Sequence, residues 1–128
     1  MKYFSFAEMI VTDTGLKNIP NWEHIHNLET LITKILDPVR ELYGKPIKVN
    51  SGFRSVEVNT KIGGAKNSHH MLGTCADITG GSVEANKQIF ELIKKNCMWR
   101  QLINEYNFKW IHVEYKENDN KLQILDVK

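Results

Sequence analysis

From Asn21 to about Tyr43 the apolar residues Leu28, Leu31, Ile32, Ile35, Leu36, Val39 and Leu42 recur at steps of three and four. That spacing lines one face of a long helix. Asn21 is its N-cap and Gly44 its C-terminal stop. Pro38 falls inside the run, so a kink is expected there, with Asp37 recapping a second segment. Residues 1–20 show no period and hold the breakers Gly15 and Pro20, so they read as irregular. Beyond the helix the pattern shortens to alternation. Pro46–Asn50 reads as a strand, a short helix follows from about Val56 to Ile62, and Gly63-Gly64 opens a polar loop. Thr74–Thr79 is the next strand. Ser82 caps a helix over about Val83–Asn96 whose inner face carries Ala85, Ile89, Phe90, Leu92 and Ile93. Strands over about 101–105, 109–115 and 121–127 complete the chain, with a turn at Asn118-Asp119-Asn120. Helices gathered on one side of a mainly antiparallel sheet make an α+β sandwich.

The composition narrows the function classes. The 128 residues fit one domain, 1–128, and no repeat, linker or low-complexity tract divides them. A net charge of +2, from 17 basic and 15 acidic residues, gives no basic stripe for nucleic acid. No segment approaches the roughly 18 apolar residues of a membrane span. The N-terminus, interrupted by Glu8, does not read as a signal peptide. Synthesis in the cytoplasm and a monomer are therefore expected, with delivery by another route if the substrate lies outside. Cys75 and Cys97 form no CxxC pair and read as free, buried thiols.

Five histidines carry the candidate chemistry. His24 and His26 lie two apart on the long helix and read as exposed polar residues. His69 and His70 are adjacent, so their side chains point opposite ways and one ion would not take both. His112 sits in the strand Trp110-Ile111-His112-Val113. Taken singly it reads as a core histidine whose ring nitrogens have partners. Asp77, between Ala76 and Ile78, is a carboxylate in an apolar strand and needs a cation or a metal. One zinc ion on His70, Asp77 and His112 accounts for all three. Two imidazoles and one carboxylate leave a fourth position open, the mark of a catalytic site. Such a site needs a base. Glu105, at the end of the strand before His112, is the first candidate, and Glu114, on the same strand face as His112, is its rival. Arg54, in the turn after the strand Pro46–Asn50, can grip a carboxylate or an oxyanion, or can be an ordinary surface cation.

Four ordered segments resemble a known family. Ser68-His69-His70-Met71-Leu72-Gly73-Thr74-Cys75-Ala76-Asp77 is similar to the Ser-x-His-x-x-Gly-x-Ala-x-Asp signature of the zinc D-Ala-D-Ala carboxypeptidases. These share a fold with L-alanyl-D-glutamate endolysins and the Hedgehog signalling domain. Trp110-Ile111-His112 resembles the Trp-x-His segment of the last ligand. Ser51-Gly52-Phe53-Arg54-Ser55 resembles an upstream Ser-Gly-Tyr/Phe-Arg-Ser segment, and Gln101–Glu105 resembles the one carrying the acidic residue. The likeness spans about residues 45–115, with Cys75 standing where the signature has Ala.

The resemblance implies a Hedgehog/DD-peptidase-like sandwich and one zinc ion on His70, Asp77 and His112. It implies Glu105 as base, and Arg54 and Ser68 as contacts to substrate carbonyl or carboxylate groups. His69 would face away from the metal. The implied activity is hydrolysis of a peptide bond in bacterial peptidoglycan stem peptides, either D-Ala-D-Ala or L-Ala-D-Glu. A single catalytic unit resembles phage or prophage endolysins, which act on the wall after release or from the virion. Two other readings compete: a zinc-containing binding or virion-assembly module without activity, and a metal-free structural domain.

Overall fold

The computed structural model describes all 128 residues, Met1–Lys128. The long helix begins where its cap was expected. The Asn21 side chain accepts from the His24 backbone N–H at 2.9 Å, and the His24 ring accepts from the Asn21 N–H at 3.1 Å. It runs as α2 (Trp22–Leu31), passes through a π-helical turn at Ile32–Leu36, and continues as α3 (Asp37–Tyr43). Gly44 closes it in the left-handed region at φ +77°. The irregular turn lies just before Pro38. Proline has no N–H and its ring crowds the carbonyl four residues back, so a widened turn accommodates it inside a continuous helix.

Asp37 differs from expectation. Its backbone stays helical at φ −63°, ψ −48°, so it does not recap a segment. Its carboxylate instead accepts from the backbone N–H groups of Lys2 (2.5 Å) and Tyr3 (2.9 Å), tying down the N-terminal segment. That segment also contains a short helix, α1 (Phe6–Met9), where no period was visible. Its signal is the capping box formed by Ser5 and Glu8.

The remaining elements are β1 (Lys48–Ser51), α4 (Val56–Lys61), a 3₁₀ turn (His69–Leu72), β2 (Cys75–Thr79), α5 (Val83–Asn96), β3 (Gln101–Glu105), β4 (Trp110–Glu114) and β5 (Gln123–Val127). Ser82 caps α5 by accepting from the Ala85 N–H. The five strands form one sheet in the order β1-β2-β4-β3-β5, antiparallel throughout except for the parallel β3–β5 pair.

Strand alternation gives the sheet two different faces. Ala76, Ile78, Leu102, Ile111 and Val113 turn toward the helices. They form one core with Leu28, Leu31, Ile32, Ile35, Leu36 and Val39 of the long helix and Ile89, Phe90 and Ile93 of α5. Leu42, at the end of the long apolar series, is exposed instead. Leu92 only packs against this core from partial burial, while Asn86 takes a fully buried place on α5. The Asn86 amide donates to the Phe108 and Lys109 carbonyls, and its carbonyl accepts from the Gly80 N–H. It thereby fastens the end of β2 to the entry of β4. The opposite face of the same strands carries the polar residues.

Candidate metal and catalytic site

The residues on that second face are set by register. In the β2–β4 ladder Asp77 pairs with His112 and Cys75 with Glu114. In the β3–β4 ladder Ile103 pairs with His112 and Glu105 with Trp110. Cys75, Asp77, His112, Glu114 and Glu105 therefore share one face, with Glu105 diagonal to His112.

His70 arrives from outside the sheet. Ser68 caps the 3₁₀ turn by accepting from the His70 N–H at 3.2 Å, and Gly73 ends it at φ +80°. A side chain at Gly73 would also stand 2.9 Å from the His24 carbonyl oxygen, so both space and conformation require glycine there. The turn sets the His70 ring Nδ1 2.7 Å from the Gly52 carbonyl oxygen, to which it donates. Gly52 itself lies where a Cβ would come 2.4 Å from the Met9 carbonyl, and only glycine allows that approach. With Nδ1 committed, His70 presents Nε2 to Asp77.

The three candidate ligands meet. Asp77 Oδ1 lies 2.9 Å from His112 Nδ1, and Asp77 Oδ2 lies 3.4 Å from His70 Nε2. The two rings stand edge to face with centroids 5.1 Å apart. Burial by itself would raise the Asp77 pKa. The hydrogen bonds from His112 and His70, and their positive charge, outweigh it and hold the carboxyl well below the ordinary range. Two imidazole nitrogens converging on one ionised, poorly solvated carboxylate are a donor set suited to zinc. The carbonyl-anchored Nδ1 of His70 is the kind of outer hydrogen bond that orients a ligating histidine.

Cys75 adds a fourth donor. Its buried Sγ and the ligand nitrogens of His70 and His112 all lie within 4.8 Å of one another. Asp77 is not in that cluster of single donor atoms, but its two oxygens each meet one ring, Oδ1 at 2.9 Å and Oδ2 at 3.4 Å. Burial first, and then the charges of Glu114 and Asp77, push the Cys75 thiol well up and favour its protonated form.

Glu105 is half-buried. Burial raises its pKa, as does the charge of Asp77, against the lowering influence of His112 and His70. Glu114 is in a different situation. It is 0% exposed and its two oxygens hold three donors: Thr74 Oγ1 at 2.5 Å, His69 Nδ1 at 2.5 Å and Arg100 Nη1 at 3.0 Å. Burial would raise its pKa, but the bonds from Thr74 and His69 and the Arg100 guanidinium hold it low. His69 thus turns to Glu114 and away from the Asp77 pair.

A polar cleft of about 400 Å³ opens over this face, lined by Asn67, Ser68, His69, Arg100, Gln101, Ile103, Glu105 and His112. Another hollow, about 470 Å³ beside Leu42, Tyr43 and Leu92, lies away from these side chains. Arg54 is not among the residues of the polar cleft. Its backbone N–H donates to the His70 carbonyl at 3.0 Å, but its side chain lines an adjoining hollow with Ser51, Val49 and Thr12. Its Nε is buried without a hydrogen-bond partner.

Two other expectations need correction. His24 is half-buried with its ring 4.5 Å from that of Phe53, because its capping bond turns it inward; His26 is exposed and contacts Glu117. Cys75 and Cys97 are both free thiols, but Cys97 is only partly buried, at the C-terminal end of α5. The residues missed by sequence reasoning are Thr74 and Arg100. Thr74 fell in an open position of the signature, and Arg100 showed no spacing relation to the ligands.

The chain is similar to known proteins in sequence and in fold. A stretch of 48 residues is 54% identical to the zinc D-Ala-D-Ala carboxypeptidase of Streptomyces albus G, spanning 37% of this chain and 19% of that protein's length. The fold is similar to that of the L-Ala D-Glu endopeptidase ChiX of Serratia marcescens. That match has a TM-score of 0.51 at 14% identity and covers 84% of this chain and 98% of the other, a likeness of fold alone. The Peptidase M15 family model matches residues 2–114, which include every side chain of the site, and the chain belongs to that family.

Proposed function

We propose that this chain is a zinc-dependent hydrolase of a peptide bond in bacterial peptidoglycan stem peptides, with the metal on His70, Asp77 and His112. The observation that carries the reading is the Asp77 carboxylate held between two imidazoles, of which His112 lines a polar cleft. Zinc bound there would supply Lewis acidity and lower the pKa of water toward about 7.

The remaining steps fall to the chain's own residues. Glu105 accepts a proton from the attacking water and returns it to the leaving amine. Its position on the cleft wall and its raised pKa suit both halves of that task. Glu114 is unsuited, because its oxygens are occupied and have no contact with solvent. Ser68, on the cleft wall, holds a substrate carbonyl or carboxylate. Arg54, the other expected substrate contact, is joined to the site only through its backbone N–H, which donates to the His70 carbonyl, and its side chain lines a separate hollow. An endolysin role, in a phage or prophage and on the wall after release or from the virion, belongs to the same proposal.

The test is mass spectrometry of muropeptides incubated with zinc-loaded protein. Loss of one alanine identifies a carboxypeptidase. Release of the stem after L-Ala identifies an endopeptidase. Zinc retained with no change in any muropeptide would refute hydrolysis and leave a binding module.

A further inference from the structure

Arg100 has no part in the metal cluster, yet it is a fixed cation on the cleft wall. It immediately precedes β3, and its backbone N–H donates to the Glu114 carbonyl at 2.7 Å. Its guanidinium is held on two sides, by Nε to Asp119 at 3.0 Å and by Nη1 to the fully buried Glu114 at 3.0 Å. Thr74 and His69 hold Glu114 in turn. The side chain is 16% exposed, and Arg100 lines the cleft alongside Ser68, Glu105 and His112. Nη2 has no hydrogen-bond partner within the protein. Arginine stays charged at any working pH, and its planar fork suits carboxylates.

Resting on the reading above, we infer that Arg100 is the anchor for the free carboxylate of the substrate residue on the leaving side of the scissile bond. Both candidate bonds present the same group. In D-Ala-D-Ala the departing D-Ala carries its terminal carboxylate on the carbon joined to the leaving nitrogen. In L-Ala-D-Glu the D-Glu continues through its side-chain carboxyl, so its α-carboxylate is free on that same carbon.

The reach also agrees. The Glu114 carboxylate that holds Arg100 stems from the residue two beyond His112, about 7 Å along the strand. A scissile carbonyl carbon and the next residue's carboxyl carbon lie about 3.5 Å apart, and a hydrogen-bonded guanidinium carbon lies about 4 Å further. A peptide whose scissile carbonyl sits over His112 therefore spans the strand offset to Glu114, the residue that holds Arg100 on the same cleft.

The experiment uses zinc-loaded protein carrying Glu105→Gln, so that the ligand is not cleaved. Calorimetry measures binding of acetyl-Lys-D-Ala-D-Ala and of L-Ala-D-Glu, each as the free acid and as the amide of the carboxylate next to the scissile bond. A charge-assisted contact predicts that the acid binds roughly 10- to 100-fold more tightly than the amide, and that adding Arg100→Gln removes this preference. Arg100→Lys should keep part of it. A purely structural role for Arg100 would weaken both ligands alike and leave their ratio unchanged, which would overturn the inference. If Arg100→Gln does not fold, ¹⁵N NMR of the arginine side chains in the Arg100-containing protein replaces it. The Arg100 resonance should shift with the acid and not with the amide, and an unmoved resonance would also overturn the assignment. Hydrolysis by the protein with native Glu105 is scored separately. A carboxylate preference without turnover removes the catalytic reading and keeps the anchor; turnover without the preference does the reverse.

Discussion

Replacing Glu114 with alanine tests whether the buried carboxylate holds this face of the sheet together. Glu114 is fully buried and accepts from Thr74, His69 and Arg100. The substitution leaves all three donors facing a void, and Arg100 keeps only its exposed partner Asp119. Removing one side of a buried charged pair costs about 3–5 kcal/mol. A chain of this length unfolds with an entropy of roughly 270 cal/mol/K near 60 °C, so each kcal/mol shifts Tm by about 4 °C. The expected loss is about 11–19 °C.

Urea unfolding followed by tryptophan fluorescence gives the same quantity at 25 °C, with the buried Trp99 as reporter. Chelator is present throughout, so that metal binding does not contribute. The pH dependence carries a sign. The folded state holds the Glu114 pKa below its unfolded value, so its contribution is fully present above the ordinary glutamate pKa of about 4.3. It is lost as pH falls through the lowered folded value, and the gap between native and variant should close there. A loss under about 1 kcal/mol at pH 7, or a gap that widens in acid, would refute the network.

Three further outcomes are expected. Glu105→Gln should retain stoichiometric zinc by elemental analysis while muropeptide turnover falls by about 100-fold or more; loss of the metal would make Glu105 a ligand instead. Asp77→Asn should weaken zinc by more than the 10–100-fold typical of losing an outer hydrogen-bond partner, read by competition with a chromogenic chelator; unchanged affinity would remove Asp77 from the ligand set. Cobalt-loaded protein should lack a thiolate charge-transfer band, and Cys75→Ala should bind zinc within about threefold of the native chain; a cobalt–sulfur band lost in that variant would promote Cys75 to ligand.

The sequence by itself determined the long helix, α5, the strands and the local caps, but not α1. The three- and four-residue spacing of Leu28 to Val39 locates the long helix because a helix buries one stripe, and alternation around Asp77 and His112 locates two strands. The caps at Asn21, Ser82 and Gly44 were readable because capping is local, satisfying groups within a few residues. His70, Asp77 and His112 were legible as a set because a carboxylate and a histidine among apolar strand residues each need a partner. Only the tertiary structure decided how those pieces meet. The register that pairs Asp77 with His112 and Cys75 with Glu114 depends on strands far apart in sequence. The same register separates Glu105, open to the cleft, from Glu114, sealed by Thr74, His69 and Arg100. Asp37 as a tether for the N-terminus, Arg54 beside its neighbouring hollow and Arg100 on the cleft wall follow likewise from long-range contacts. Periodicity reports which face of an element is buried; which partner a polar side chain finds there is fixed by the packing of elements whose order along the chain carries no distance information.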